Sequence, residues 1–176
     1  MIDIMRDWFH SLPHQQHTYA DDQYLFRRDD PVQSMFLIEA GSARLVRTQR
    51  GGGVVVLQRA SAGSILAEAS LFTPTYHCDA MGSEPVTATL VARHALRRLF
   101  LTNPEFAQAW VMHLSGEVRR ARRRAEILSL RTVAERLDAW IAENGKLPDK
   151  GRWKSVAMEI AASPEALYRE IARRRD

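Results

Sequence analysis

The sequence predicts an α+β chain in which an antiparallel β-roll or barrel leads into one long helix and then a helix-turn-helix. Three observations carry that expectation. Short β-favouring runs alternate with turn residues up to about Asn103. Beyond Asn103, small or apolar residues recur at a helical period. Near the end, two short helical stretches flank a turn at Ala161–Ser163. The organisation expected is a β-roll over residues 1–103, a long helix over 104–130 and a helix-turn-helix module over 131–176.

The β-favouring runs are His17–Arg28, Ser34–Glu39, Ala43–Thr48, Val54–Gln58 and Val86–Val91. Asp29-Asp30-Pro31, Ala40-Gly41-Ser42, Gly51-Gly52-Gly53 and Ala62-Gly63-Ser64 punctuate them as turns. The Gly51–Gly53 triplet lacks the Lys-Ser/Thr of a phosphate loop and has strands on both sides, so it reads as a hairpin turn.

Pro104 suits a first helical position behind an Asn103 cap. Ala107, Trp110, Leu114, Val118, Ala121, Ala125 and Leu128 then follow at a mean step of 3.5 residues, the coiled-coil period. A narrow apolar seam of this kind suits an identical partner helix, so Trp110, Leu114, Val118, Ala121, Ala125 and Leu128 are the expected dimer interface. Packing of the same face on the chain's own roll is the alternative. A further helix is expected over Thr132–Ala142, stopped by Asn144-Gly145.

Helical stretches over Lys154–Ala161 and Pro164–Arg175 complete the module, with Val156, Ala157, Ile160, Leu167 and Ile171 as its buried positions and small Ala161 at the turn. Ser163 is a plausible cap, Pro164 fits the first turn, and Glu165 favours the helix dipole. Glu165 and Arg169 lie four apart on one face, where arginine can bond a guanine edge and glutamate a cytosine amine. The same pair at that spacing also fits an ordinary intrahelical ion pair.

Composition sets the outer limits. The chain has 176 residues, 45% hydrophobic and 26% charged, which is globular rather than disordered. No apolar run reaches the ~18 residues of a membrane helix. The start MIDIMRDWFH does not read as a signal peptide, so a cytoplasmic protein without membrane partners is expected. Cys78 is the only cysteine, which rules out an internal disulfide or a four-cysteine cluster held by one chain. The net charge is only +4. Its arginines cluster, however, at Arg119–Arg124 and at Arg169, Arg173, Arg174 and Arg175. The first block fits a solvated helix face as well as a contact surface; the second suits a polyanion such as DNA.

Three segments in order give a more specific resemblance: Met35-Phe36-Leu37-Ile38-Glu39-Ala40-Gly41-Ser42-Ala43-Arg44-Leu45, Ala62 through Phe72 around Ala67-Glu68-Ala69-Ser70, and Ser163-Pro164-Glu165-Ala166-Leu167-Tyr168-Arg169. Together they resemble the cyclic-AMP receptor protein (CRP/FNR) family over almost the whole chain. The resemblance implies a cyclic-nucleotide-binding-type β-roll, a dimerisation helix and a helix-turn-helix. The middle segment looks like the family's phosphate-binding cassette, and the last resembles its recognition helix.

That resemblance implies a homodimeric transcription regulator on a palindromic duplex, with Ser163, Glu165, Tyr168, Arg169, Arg173 and Arg174 as DNA-contacting residues and RNA polymerase as a further candidate partner. It places an effector pocket at Glu68, His77, Cys78, Ala121 and Arg122, the effector itself being unknown.

The departures matter equally. Members that bind cyclic AMP hold the ribose with a glutamate, which Glu68 supplies. They hold the phosphate with an Arg-Ser pair where this chain has His77-Cys78, and the base with a Thr-Ser pair where it has Ala121-Arg122. Losing the arginine fork and the hydroxyls predicts a pocket unsuited to cyclic AMP. Glu68 then also fits a structural role in its own loop. His77 and Cys78 could ligate a metal or haem or act in redox chemistry, but no second His/Cys cluster completes such a site, and a structural core role is favoured.

No cofactor, metal or enzymatic activity is expected, because no nucleophile–base set, HExxH or Walker motif is present. The family's β-hairpin wing is expected to be missing after Asp176, through truncation or reduction of the DNA module. Pro164 also stands where the family often has a base-reading arginine. These two departures motivate the alternative of a ligand-sensing or protein-interaction module with a vestigial DNA-binding domain.

Overall fold

A computed structural model of the chain describes residues 2–174 and divides into two compact units, Met1–Leu114 and Ser115–Asp176. The first holds α1 (Ile2–Ser11), then β1 (His14–Tyr19), β2 (Tyr24–Phe26), β3 (Ser34–Ala40), β4 (Ser42–Thr48), β5 (Val54–Ser61), β6 (Ile65–Leu66), β7 (Asp79–Gly82) and β8 (Val86–Ala92), followed by α2 (Arg93–Thr102). The strands form two antiparallel four-stranded sheets, ordered β1-β8-β3-β6 and β2-β7-β4-β5. The long helix α3 (Pro104–Ser129) begins in the first unit and ends in the second.

Strand β3 explains the layering. Met35, Phe36, Leu37 and Ile38 are all buried, so the strand shows no inside–outside alternation. Both its faces are covered: the other sheet lies on one side, while α1 and α2 pack on the neighbouring strand β8. Met5 and Phe9 of α1, Leu96 of α2, and Phe106 and Trp110 of α3 join the same core.

The turns are chemically determined. At the β3–β4 turn Gly41 has φ +77°, and a Cβ there would stand 2.0 Å from the Pro85 carbonyl oxygen, so only glycine fits. At the β4–β5 turn the Gln49 and Gly52 amides bond within the hairpin to Gly53 and Gln49 carbonyls. The glycine triplet is therefore a hairpin turn, with the Gly52 amide turned back onto Gln49.

The second unit holds the remainder of α3, then α4 (Val133–Asn144), α5 (Trp153–Glu159) and α6 (Pro164–Arg173). Thr132 and Glu135 close a reciprocal capping box at the start of α4, and Gly145 ends it with φ +81°. Ile127, Leu137, Trp140, Trp153, Val156, Ala157, Ile160, Leu167 and Ile171 form this unit's own core.

Five corrections to the sequence reading follow. The run 17–28 is two strands, broken by a turn in which Asp22 takes φ +60°. Helices α1 and α2 were not anticipated, and neither were the short strands β6 and β7.

Candidate functional site

The cassette is built on a tight reversal after β6. Leu66 and Ile65 pair with Phe36 and Leu37 of β3, and Ala67 then turns into the left-handed region at φ +68°. That turn starts a short 3-10 helix over Glu68–Ser70, with Glu68 and Ser70 both buried. Ser70 Oγ lies 3.3 Å from His77 Nδ1, and His77 Nε2 lies 3.6 Å from Cys78 Sγ. Both imidazole nitrogens therefore face neighbours inside the loop.

The electrostatics do not favour an anion held by His77 and Cys78. Burial, with the Arg47 charge added, pushes His77 below the ordinary histidine value, so its ring is neutral at neutral pH. Burial and the nearby Glu68 push Cys78 up to about 11, which leaves a protonated, fully buried thiol. The cation beside the loop comes from elsewhere. Arg47 of β4 donates from Nη2 to the His77 carbonyl at 2.9 Å, while its Nε is buried with no hydrogen-bond partner among the described residues. Arg47 was missed in the sequence because a bulge between Leu45 and Val46 breaks the alternation of β4.

Ala121 and Arg122 lie on the part of α3 within the second unit, and both are exposed. Among the residues expected at the seam, Trp110 is 0% exposed in the roll core and Leu114 packs partly against that core. Trp110 therefore has no surface left for a partner. Its neighbour Val111 is 53% exposed instead, and further along α3 Val118 is 47% and Leu128 37% exposed, with Ala121 and Ala125 also open.

In the second unit, α5 and α6 are joined by the turn Ile160–Ser163, with Ala161 at φ +49°. Ser163 Oγ accepts the Ala166 amide at 3.1 Å, and Pro164 fills the first helical turn, giving α6 a defined start. Arg136 of α4 holds the turn from inside. Its Nε donates to Leu130 O at 2.9 Å, and its Nη1 donates to Ile160 O at 3.3 Å and Ala161 O at 3.2 Å.

Glu165, Arg169 and Arg173 share the exposed face of α6. The Glu165 carboxyl is held low by its own backbone amide and by the Ser163 hydroxyl, so it belongs to the helix start and not to an ion pair with Arg169. Arg169 makes no ion pair among the described residues. Tyr168 leans inward, its ring 5.5 Å from that of Trp153. Arg173 pairs with Glu170. Arg174 reaches Glu170, Asp138 and the Ala134 carbonyl, tying α6 to α4. Arg175 lies outside the described residues. No group of three or more His, Cys, Asp and Glu among the described residues is arranged to hold a metal ion.

The sequence matches the Cyclic nucleotide-binding domain family over residues 16–103, half of the chain. The chain belongs to the cyclic nucleotide-binding domain family. Solved structures agree in fold. FixK2 from Bradyrhizobium japonicum is 18% identical at TM-score 0.76, covering 92% of this chain and 84% of its own. The c-di-GMP-responsive global regulator CLP from Xanthomonas campestris is 17% identical at TM-score 0.70, covering 99% and 92%. TTHB099, a CRP-family transcriptional regulator from Thermus thermophilus, is 15% identical at TM-score 0.65, covering 90% and 84%.

No curated protein matches the sequence significantly. The fold is thus that of CRP-type regulators: a cyclic nucleotide-binding roll with a long helix after it. Within this family member the match covers Glu68, His77 and Cys78 but stops before Ala121, Arg122 and the α6 residues. Among the described residues no helix is long and apolar enough to cross a membrane.

Proposed function

We propose that the chain is a homodimeric, sequence-specific DNA-binding regulator whose sensor roll does not respond to cyclic AMP. The observation that carries the reading is the exposed face of α6. Arg169 stands there without an ion pair among the described residues, one turn beyond Glu165, on a helix whose start is fixed by Ser163 and whose preceding turn is clamped by Arg136. In this reading α5, the Ile160–Ser163 turn and α6 form a helix-turn-helix, and α6 enters the major groove. Arg169 reads a base edge, Ser163 and Arg173 face the backbone, and Glu165 fixes the helix start and can accept from a base. Arg174 acts inside the module.

The dimer seam is best supported with Val111 in place of Trp110. Ala107, Val111, Leu114, Val118, Ala121, Ala125 and Leu128 then step by 4, 3, 4, 3, 4, 3 along α3, the regular heptad alternation that Trp110 interrupted. Against cyclic AMP stand the neutral His77 and the protonated Cys78 in place of a phosphate clamp.

Selection of binding sites from random duplexes, at low and moderate salt, tests the function. A palindrome with half-sites about one duplex turn, ~34 Å, apart is expected. Arg169→Ala should cost about 1–3 kcal/mol on the best site and relax preference at one symmetric pair of positions. Recovery of no palindrome at either salt overturns the reading in favour of a sensing module with a vestigial DNA domain.

A further inference from the structure

A cavity of about 360 Å³ opens within the second unit, away from the exposed face of α6. It lies between the C-terminal end of α4, the 145–152 connection and α5. Trp140 and Val156 form its apolar wall, and Glu159 stands inside it. Glu159 is already engaged: Trp140 Nε1–H donates to Oε2 at 2.7 Å and the Ser155 hydroxyl to Oε1 at 3.3 Å.

The two cations that line the same cavity are in the opposite condition. Lys146 and Arg152 are exposed, and neither makes an ion pair or a side-chain hydrogen bond among the described residues. The cavity therefore joins an apolar wall to two cations without an ion-pair partner among the described residues, and since its one carboxylate is turned to Trp140 and Ser155, the lining is net positive. Its volume is in the range of small-molecule sites and far beyond that of a single ion.

We infer that this cavity binds a small organic anion, a carboxylate or phosphate carried on an apolar or aromatic body. The Arg152 fork and the Lys146 ammonium take the charged group, and Trp140 and Val156 take the body. Because Val156 also belongs to the core that seats α6, an occupant would report directly to that helix. The site stands independently of whether α6 reads DNA, and its test does not need DNA binding to succeed.

The test is a titration of the full chain with phenyl phosphate, following the indole N–H signals by nuclear magnetic resonance, with that of Trp140 assigned through Trp140→Phe. The Trp140 signal should shift saturably, with a dissociation constant on the order of millimolar or tighter, while the Trp8 and Trp110 signals stay fixed. Phenol, which lacks the anion, should shift it at least tenfold more weakly. The variant Lys146→Gln/Arg152→Gln should raise the dissociation constant at least tenfold, with an unchanged circular dichroism spectrum. The inference is overturned by a linear, unsaturating response, by equal affinity in the double variant, or by displacement of the probe by a non-specific duplex. Displacement would assign the two cations to DNA phosphates instead of a small ligand.

Discussion

Arg136 offers the sharpest test of how the second unit holds α6. Replacing it with alanine removes the donor to Leu130 O at 2.9 Å and the donor shared between Ile160 O and Ala161 O at 3.2–3.3 Å. Hydrogen bonds from a charged donor are worth about 1.5–3 kcal/mol each. The second of these is long and divided between two acceptors, and the freed carbonyls recover some hydration. The expected loss is therefore about 2–3 kcal/mol, below the ~3–6 kcal/mol of two full bonds.

Hydrogen exchange read by mass spectrometry separates the units. Peptides from α4–α6 should exchange about 30- to 150-fold faster, the same free energy written as a rate factor. Peptides from the roll should be unchanged. Arg136→Lys keeps the charge but not the fork that spans two segments, so it should recover less than half of the loss. Acceleration below about threefold, or equal acceleration in the roll, would refute the clamp.

Three further outcomes are expected. Val118→Glu with Leu128→Glu places like charges at a self-facing seam and should give monomers by sedimentation; a persisting dimer would put the interface elsewhere. Isothermal titration should show no cyclic AMP binding tighter than about 100 μM, and a low-micromolar constant, about −8 kcal/mol, would overturn the reading of the cassette. The Glu170 carboxyl is held down to about 2 by Arg173 and Arg174. Because its folded value lies below its unfolded one, its contribution is present above ordinary carboxylate pH and lost as pH falls towards about 2. Glu170→Gln should flatten the acid limb of the stability profile there, and an unchanged limb would deny the Arg173–Glu170–Arg174 cluster.

What the sequence made legible was local chemistry. Asn103 and Ser163, read as caps, each accept a backbone amide from the first turn of their helix, whereas Thr132, read as the first residue of its helix, is the cap of α4. The five positions read as the core of the terminal module are all buried. What it hid was set by contacts remote in the chain. The α1 helix has no signature of its own until Met5 and Phe9 enter the roll core and Glu39, 29 residues beyond His10, receives Arg6 and His10. Trp110 was placed at the seam because period alone cannot say which of two adjacent helical positions faces inward, and the roll's need for a large apolar side chain took Trp110 and left Val111 outside. Arg47 was invisible because a one-residue bulge reverses the faces of a strand.

The arginines that crowd the C-terminus carry the same lesson into experiment. By composition they form one basic patch, and a scan would rank them by loss of DNA binding. Geometry divides them. Arg174 bonds Asp138 at 2.6 Å, Glu170 at 2.7 Å and the Ala134 carbonyl at 3.0 Å, so its removal loosens α6 from α4. Arg169 makes no side-chain hydrogen bond or ion pair among the described residues, so its removal leaves α6 in place. Arg174→Ala should cost about 1–2 kcal/mol of stability, speed exchange in α6, and weaken all duplexes together because the helix is displaced. Arg169→Ala should leave exchange unchanged and weaken the selected duplex more than a random one. If both variants lower binding with identical exchange and identical selectivity, the division fails, and the C-terminal arginines act as an undifferentiated electrostatic patch.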